Sequence, residues 1–99
     1  MANLRINYQS VMNRAQEMEN QITRLSREIN SMEILRIQSK SCWDGPASEV
    51  FRGKLDQLIE NTRATQRRMK NVVEDIRTVA DRIRREDEEL ARRAAQLKE

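Results

Sequence analysis

The chain has 99 residues, a length that accommodates one small domain. Charged residues make up 35% of it and hydrophobic residues 37%, and only three residues are aromatic, so strand formers and core material are too scarce for a sheet protein. The formal net charge of +3, from 19 basic and 16 acidic side chains, fits an ion-paired surface better than a nucleic-acid footprint. We therefore expect an all-α fold.

The first predicted element is a long helix over residues about 4–40. Its apolar residues recur in alternating steps of four and three, which is the heptad pattern of a helix packed along one seam. They are Leu4, Tyr8, Val11, Ala15, Met18, Ile22, Leu25, Ile29 and Met32.

A turn is predicted at about 41–46, because residues that disfavour helix collect there. Trp43 is the only tryptophan, Pro46 the only proline and Gly45 one of two glycines. Asp44 or Gly45 fits the N-cap of a following helix, and proline suits the first helical turn because its missing N–H would be unpaired there anyway.

A second helix is predicted over about 47–90, followed by a C-terminal tail at about 83–99. Its heptad stripe is Phe51, Leu55, Leu58, Thr62, Thr65, Met69, Val72, Ile76, Val79 and Ile83. Val50, Ile59, Val73 and Ala80 widen this stripe, so the second helix has apolar surface for two neighbours.

The two helices predict an antiparallel helical hairpin that forms a single domain over residues 1–99. Two helices alone cover each apolar side chain on one side only, so we expect two hairpins to pair into a four-helix bundle, as an obligate or strong dimer. The predicted dimer and core stripe is Tyr8, Val11, Met18, Ile22, Leu25, Ile29, Phe51, Leu55, Leu58, Met69, Val72 and Ile76.

No catalytic, metal or cofactor site is predicted. The chain has no histidine and one cysteine, Cys42, which excludes the usual structural zinc sites and an internal disulfide. Cys42 is expected to be a small packed residue, and Gly45-Pro46 lacks the glycines and lysine of a phosphate loop. The basic run at 63–70 is expected to be a solvated face, since no aromatic residue stands near it to stack on bases. We expect no enzymatic activity and no small-molecule substrate.

No stretch has the apolar length of a Sec-type signal or of a membrane span, so the residues alone predict a cytosolic protein. The Trp43-Asp44-Gly45 turn, at mid-chain between two heptad helices, changes this expectation because it resembles the WXG family of ESAT-like proteins. The resemblance covers the whole chain. It implies export by a type VII (ESX or Ess) secretion system without a cleavable signal, from the cytoplasm to the outside, as a homodimer or as a heterodimer with a paralogue.

The resemblance also implies a C-terminal export signal, read by the type VII secretion ATPase beside the partner's Trp-x-Gly turn. In the family this signal is usually Tyr-x-x-x-Asp/Glu, but here Ile83 stands where the tyrosine would be, with Asp87 four residues on. The tail looks like the aliphatic variant of the signal, formed by Ile83, Asp87, Leu90 and Ala94. Continued core packing is the alternative role of these residues.

The leading hypothesis is a non-enzymatic, virulence-associated secreted protein that acts as a dimeric hairpin effector or as a co-secreted partner. An intracellular coiled-coil adaptor, or a chaperone for a larger type VII substrate, is the alternative, and nucleic-acid binding is a third. Trp43 is either a recognition residue or a hydrophobic plug. The identity of the partner chain, and whether the target is a host cell or a competing bacterium, stay open.

Overall fold

A computed structural model describes residues 7–97 of the chain. They form two helices, α1 (Tyr8–Cys42) and α2 (Pro46–Leu97), and contain no strand. Cross-helix pairs such as Arg77 with Glu19 and Arg36 with Asp56 show that the helices run antiparallel. The molecule is a rod of 82 × 17 × 15 Å. The predicted all-α helical hairpin is therefore confirmed.

The ends of the helices differ slightly from the predicted bounds. The predicted start near residue 4, and residues 98 and 99 of the predicted tail, lie outside the described residues. Helix α1 ends at Cys42 rather than near residue 40, and α2 continues to Leu97 rather than ending near residue 90. Ion pairs from Glu89 to Arg92 and Arg93 support this last part of α2, because side chains three and four residues apart are neighbours on a helix.

Both ends of α1 are capped. The side chain of Asn7 accepts a hydrogen bond from the backbone N–H of Ser10 at 3.1 Å, which satisfies one of the unpaired donors of the first turn. At the other end Trp43 is extended, and its backbone N–H still donates to the carbonyl of Ser39 at 3.0 Å. The chain therefore leaves the helix at the tryptophan.

Gly45 makes the turn possible. Its φ of +108° lies in the region that residues with a side chain rarely adopt. Of the two predicted cap residues, Asp44 and Gly45, it is Gly45 whose carbonyl accepts the first N–H groups of α2, from Ser48 at 3.1 Å and Glu49 at 3.2 Å. The fully buried Ser48 hydroxyl donates to the same carbonyl at 3.0 Å.

The core consists of two apolar clusters separated by a polar layer. One cluster, towards the open end of the hairpin, contains Ala15, Ile22 and Val73, and the other, towards the turn, contains Ile29, Leu55 and Ile59. Between them, Gln66 Nε2 donates to the carbonyl of Ile22 at 2.9 Å and to Ser26 Oγ at 2.5 Å. The polar layer lies near the middle of α1.

Helix α2 is the longer element, with 52 residues against 35 in α1. At ~1.5 Å per residue the difference is about 25 Å. The Arg84 guanidinium lies 4.6 Å from the centre of the Tyr8 ring, so the described start of α1 is level with this part of α2. Residues 86–97, which we call the overhang, extend past the described start of α1.

Candidate functional site

The two flanks of the α1–α2 contact have opposite character. In a helix, residue i+3 lies to one side of residue i and residue i+4 to the other. Ala15 and Ile22 are buried against α2, so Met18 and Leu25, three residues on, lie on one flank. Glu19 and Ser26 lie on the other flank. The first flank is apolar and the second is polar.

The polar flank, which we call the paired edge, is closed by side-chain interactions between the helices. Arg77 Nη2 contacts Glu19 Oε2 at 2.7 Å, and Arg63 forms an ion pair with Glu33. The bonds from Gln66 to the Ile22 carbonyl and Ser26 lie between these two pairs. All of these contacts join residues that are 30 or more positions apart in the sequence. Together they fix the register of the hairpin.

A further ion pair links Arg36 and Asp56 nearer the turn. The hydrogen bond from the Arg36 guanidinium lowers the pKa of the Asp56 carboxyl below its ordinary value, and the same bond raises the pKa of Arg36. The side chains are 34% and 50% exposed, so water and salt screen the attraction. This pair contributes more to register than to stability.

The apolar flank, which we call the open face, has no covering element within the described residues. In α1 it consists of the half-buried side chains of Val11, Met18 and Leu25. In α2 it contains Leu58, Val72 and Val79, which are 52%, 45% and 51% exposed, with Thr65 exposed in the middle. A shallow depression on this face is lined by Val11, Asp75, Ile76, Val79 and Ala80.

The predicted stripe is divided between the core and the open face. Ile22, Ile29 and Leu55 are buried, and Leu58 and Val72 are exposed. The half-buried members are Tyr8, Val11, Met18, Leu25, Phe51, Met69 and Ile76. In α2 the deepest apolar positions are Ile59, Val73 and Ala80, which come from the residues that widen the stripe. Three of the four widening residues thus pack against α1, the fourth, Val50, is exposed, and part of the heptad stripe faces outward.

The turn carries an exposed aromatic surface. Trp43 is 43% exposed, and its ring centre lies 5.5 Å from that of Phe51 at an angle of 46°. Its carbonyl accepts a long hydrogen bond of 3.4 Å from Arg52 Nη1. Asp44 and Gly45 are exposed beside it. Phe51 therefore supports one part of the indole, and another part remains in contact with solvent.

The four predicted signal residues all lie on α2, where Ile83 and Asp87 are half-buried and Leu90 and Ala94 are exposed. Leu90, at 61% exposure, and Ala94 belong to the overhang. Within one chain these residues and the Trp43 turn lie towards opposite ends of the 82 Å rod. The structure of the single chain therefore does not bring the turn and the tail together.

Residues 7–97 contain no cluster of histidine, cysteine, aspartate and glutamate that could hold a metal ion. Cys42, the last residue of α1, is exposed rather than packed as expected. Its Sγ donates to the carbonyl of Gln38 at 3.1 Å. Neither α1 nor α2, over the part described, is long and apolar enough to cross a membrane.

The paired edge is the feature that the sequence analysis missed. Its ion pairs join Glu19 and Glu33, fourteen residues apart on α1, to Arg77 and Arg63, fourteen residues apart on α2. Two acidic and two basic residues with matching two-heptad spacing are a signal for the register of two helices that a short turn already makes antiparallel. The contact from Gln66 to a backbone carbonyl has no comparable signal in the sequence.

Two long antiparallel helices, joined at a Trp-x-Gly turn and open along one apolar flank, define a class of small helical hairpins suited to association. A sequence model of the WXG100 family, described as proteins of 100 residues with WXG, matches residues 3–88. The chain belongs to this family, which confirms the resemblance. The family is associated with type VII secretion substrates, and its members are small secreted helical proteins that are not known as enzymes. Comparison with curated proteins gave no match, and comparison with solved structures gave none.

Proposed function

We propose that this chain is a non-enzymatic substrate of a type VII secretion system that is exported as a dimeric four-helix bundle. The observation that carries the proposal is the open face, where Leu58, Val72 and Val79 are each about half exposed. Contiguous apolar surface of this kind marks interaction sites in soluble proteins. A second hairpin laid on this face would cover it and complete the core.

The export signal in this proposal is composite. The Trp43 turn of one chain lies beside the tail of the other, and the type VII secretion ATPase binds the combined surface. Trp43 is 43% exposed and Leu90 is 61% exposed, so both side chains are accessible to a partner. Aromatic and aliphatic anchors of this type contribute most of the binding energy in many interfaces. Ile83 replaces the tyrosine of the usual family signal as an apolar contact, and Asp87 supplies its acidic position.

The role of the dimer is to bring these two surfaces together. Within one chain, the turn and the tail lie towards opposite ends of the rod. When two hairpins pack in opposite directions, the turn of each one reaches the region of Ile83 and Asp87 in the other. This requirement connects export to dimer formation and explains why a monomer would be a poor substrate.

Export of single-residue variants tests this proposal. Asp87→Ala is expected to abolish appearance of the protein in the culture medium while the purified variant still forms a dimer. Glu88→Ala is the matched control, because it removes a carboxylate from the adjacent, exposed position on another face of α2. We expect the control to be exported like the wild type. Export of Asp87→Ala at the wild-type level would contradict the proposed signal.

The same experiment separates an exported protein from an intracellular adaptor. A substrate leaves the cell as an intact chain, so the wild-type protein accumulates in the medium. An adaptor for a larger type VII substrate would remain in the cytoplasm while the larger protein is released. Retention of the wild-type chain by cells with active type VII secretion would therefore favour the adaptor over the proposed function.

A further inference from the structure

The positive charge of the chain is concentrated at one level of the rod. Residues 20–32 of α1 lie beside residues 61–73 of α2, because Gln66 donates to Ser26 and to the carbonyl of Ile22. These two segments contain six basic residues and one acidic residue, a net charge of +5, whereas the rest of the chain has 13 basic and 15 acidic residues, a net charge of −2. The level is only about 18 Å long at ~1.5 Å per residue. The small total charge of +3 therefore includes a strongly basic band.

Four of these basic side chains form a surface that we call the collar. They are Arg24 and Arg27 of α1 with Arg67 and Lys70 of α2, and all four are exposed. In α2, each step of three residues rotates by about 60° around the helix. From the buried Val73, Lys70 therefore turns towards the paired edge, and Arg67 turns further outward in the same direction.

On α1 the collar continues around the other helix. Arg27 follows Ser26 of the paired edge and lies about 100° further round, on the side away from α2. Arg24, three residues before Arg27, is its neighbour on that outer side. The collar therefore crosses the rod, from the outer side of α1 over the paired edge to the outer side of α2.

The charges of the collar are available to a ligand. Within residues 7–97, Arg24, Arg27 and Lys70 form no ion pair. Arg67 Nη2 is 3.6 Å from Glu60 Oε1, but these side chains are 63% and 66% exposed, so water screens their attraction. Glu28, the one acidic residue of this level, lies three residues after Leu25 and thus towards the open face rather than in the collar.

A groove on the paired edge adds a hydrogen-bond donor to the collar. It has a volume of about 410 Å³, and Thr23, Ser26 and Lys70 line part of it. Ser26 Oγ accepts a hydrogen bond from Gln66, and its O–H can donate to a ligand oxygen. An anionic oxygen in the groove would therefore meet both the Lys70 ammonium and a hydroxyl.

Acidic side chains stand at both borders of the collar. Glu33 and Glu60 lie towards the turn, and Glu19 and Glu74 lie towards the open end of the hairpin. An anionic polymer laid along the rod would meet these carboxylates, whereas one that crosses the rod would meet only the collar. Charge complementarity therefore favours a ligand that runs across the helices.

We propose that the collar binds a flexible phosphodiester chain, which crosses the rod and follows the collar around it. Arginine and lysine are the side chains that neutralise phosphates. Because the collar bends around a rod of 17 × 15 Å cross-section, a flat anionic membrane or a stiff duplex reaches only part of it. No aromatic residue occurs at this level to stack on bases, so the polymer is bound by its backbone. This inference goes beyond the proposed function, and the collar lies outside the open face.

Fluorescence anisotropy with a labelled oligothymidylate of roughly 15 nucleotides tests the binding. Four phosphate contacts predict that the logarithm of the association constant falls with the logarithm of salt concentration with a slope of about −2.8. A slope near zero would overturn the proposal. An abasic oligomer of the same length separates backbone from base recognition and should bind within about threefold of oligothymidylate. Binding of oligothymidylate alone would overturn backbone recognition. Tighter binding of a duplex, or of phosphatidylserine vesicles, would overturn the flexible chain.

A charge-matched pair of double variants locates the site. Arg27→Ala with Lys70→Ala removes half of the collar, so the dissociation constant should rise at least about tenfold and the salt slope should weaken by about 1.4. The control, Lys54→Ala with Arg82→Ala, removes one lysine and one arginine that are exposed elsewhere on α2, and should bind within about twofold of the wild type. Circular dichroism should show that both remain helical. Equal loss of affinity in the two would overturn the collar, because binding would then depend on total charge alone.

Discussion

The two flanks of this hairpin occupy equivalent helix positions but have opposite character. Along the paired edge, Arg77 meets Glu19 and Arg63 meets Glu33, so the polar residues of α1 and α2 satisfy each other. Along the open face, Leu58 and Val72 remain about half exposed. A flank closed by its own chain needs no partner, whereas the open flank leaves apolar surface in water. In the proposed dimer, folding and association are therefore assigned to separate sides of one thin molecule.

The largest effect is expected from a charge on the open face. Val72→Glu places an unpaired carboxylate in the proposed interface, where burial of a charge is strongly unfavourable. The dimer dissociation constant should rise at least about 100-fold, an increase of ~2.7 kcal/mol, as measured by sedimentation equilibrium. Asn71→Glu adds the same charge at the adjacent exposed position, which is turned away from α1 about 100° further round α2, and should leave the constant unchanged. Equal weakening by both variants would show that the open face has no special role.

A smaller effect is expected from the polar layer on the paired edge. Gln66→Ala removes the bonds to the Ile22 carbonyl and Ser26 Oγ and should lower the free energy of unfolding by about 1 kcal/mol. Gln57→Ala changes the same residue type at an exposed position of α2 and should cost nothing. Urea unfolding of both variants measures the difference. An equal loss of unfolding free energy in the two variants would show that the Gln66 hydrogen bonds do not stabilise the hairpin.

The ion pairs of the paired edge should contribute less to the free energy of unfolding than the Gln66 hydrogen bonds. A double-mutant cycle of Glu19→Ala and Arg77→Ala should give a coupling energy of about 0.5 kcal/mol, because both side chains are partly exposed. The coupling should fall further in high salt. The Arg14–Glu17 pair, which lies within α1 and is 81% and 64% exposed, provides a control cycle with weaker coupling. A coupling of several kcal/mol would mean that the paired edge holds the hairpin together.

The smallest effect is a dependence on pH. The bond from Arg36 lowers the pKa of Asp56 in the folded chain, so its contribution to stability is present above the ordinary aspartate pKa. That contribution is lost as the pH falls through the lowered folded value. Asp56→Asn should therefore be slightly less stable than the wild type at pH 7, and the two should converge in acid. A difference in stability between Asp56→Asn and the wild type that grew as the pH fell would show that the Arg36–Asp56 pair does not stabilise the folded chain.

The helices and the hairpin followed from the sequence because heptad spacing is a local property. The steps of three and four from Tyr8 to Met32 required no knowledge of α2, and Gly45 and Pro46 indicated the turn. Which flank would close was not predictable in the same way. Ile59, Val73 and Ala80 lie deeper than Leu58 and Val72 because the antiparallel register of two distant segments decides the facing column.

The candidate site was predictable only in part for the same reason. Trp43 and Leu90 could be singled out as apolar residues near the turn and the tail, but their exposure depends on what packs beside them. The contact of Gln66 with the Ile22 carbonyl joins residues 44 positions apart. A register of this kind results from the packing of whole helices, and no short motif encodes it.

In the proposed dimer the open face holds a second copy of the chain in the opposite direction, and Cys42 allows a direct measurement of this arrangement. It is the only cysteine, it is exposed, and it lies next to the turn. A nitroxide attached to it in the wild-type protein reports the distance between two turns by pulsed electron resonance. The proposed dimer places the turn of each chain beside Ile83 and Asp87 of the other, at the level where Arg84 contacts Tyr8. Cys42 and Tyr8 are the two ends of α1, so the labels should lie about 50 Å apart, at ~1.5 Å per residue. A distance close to the 17 Å width of the rod, or no coupling between chains, would contradict the claim.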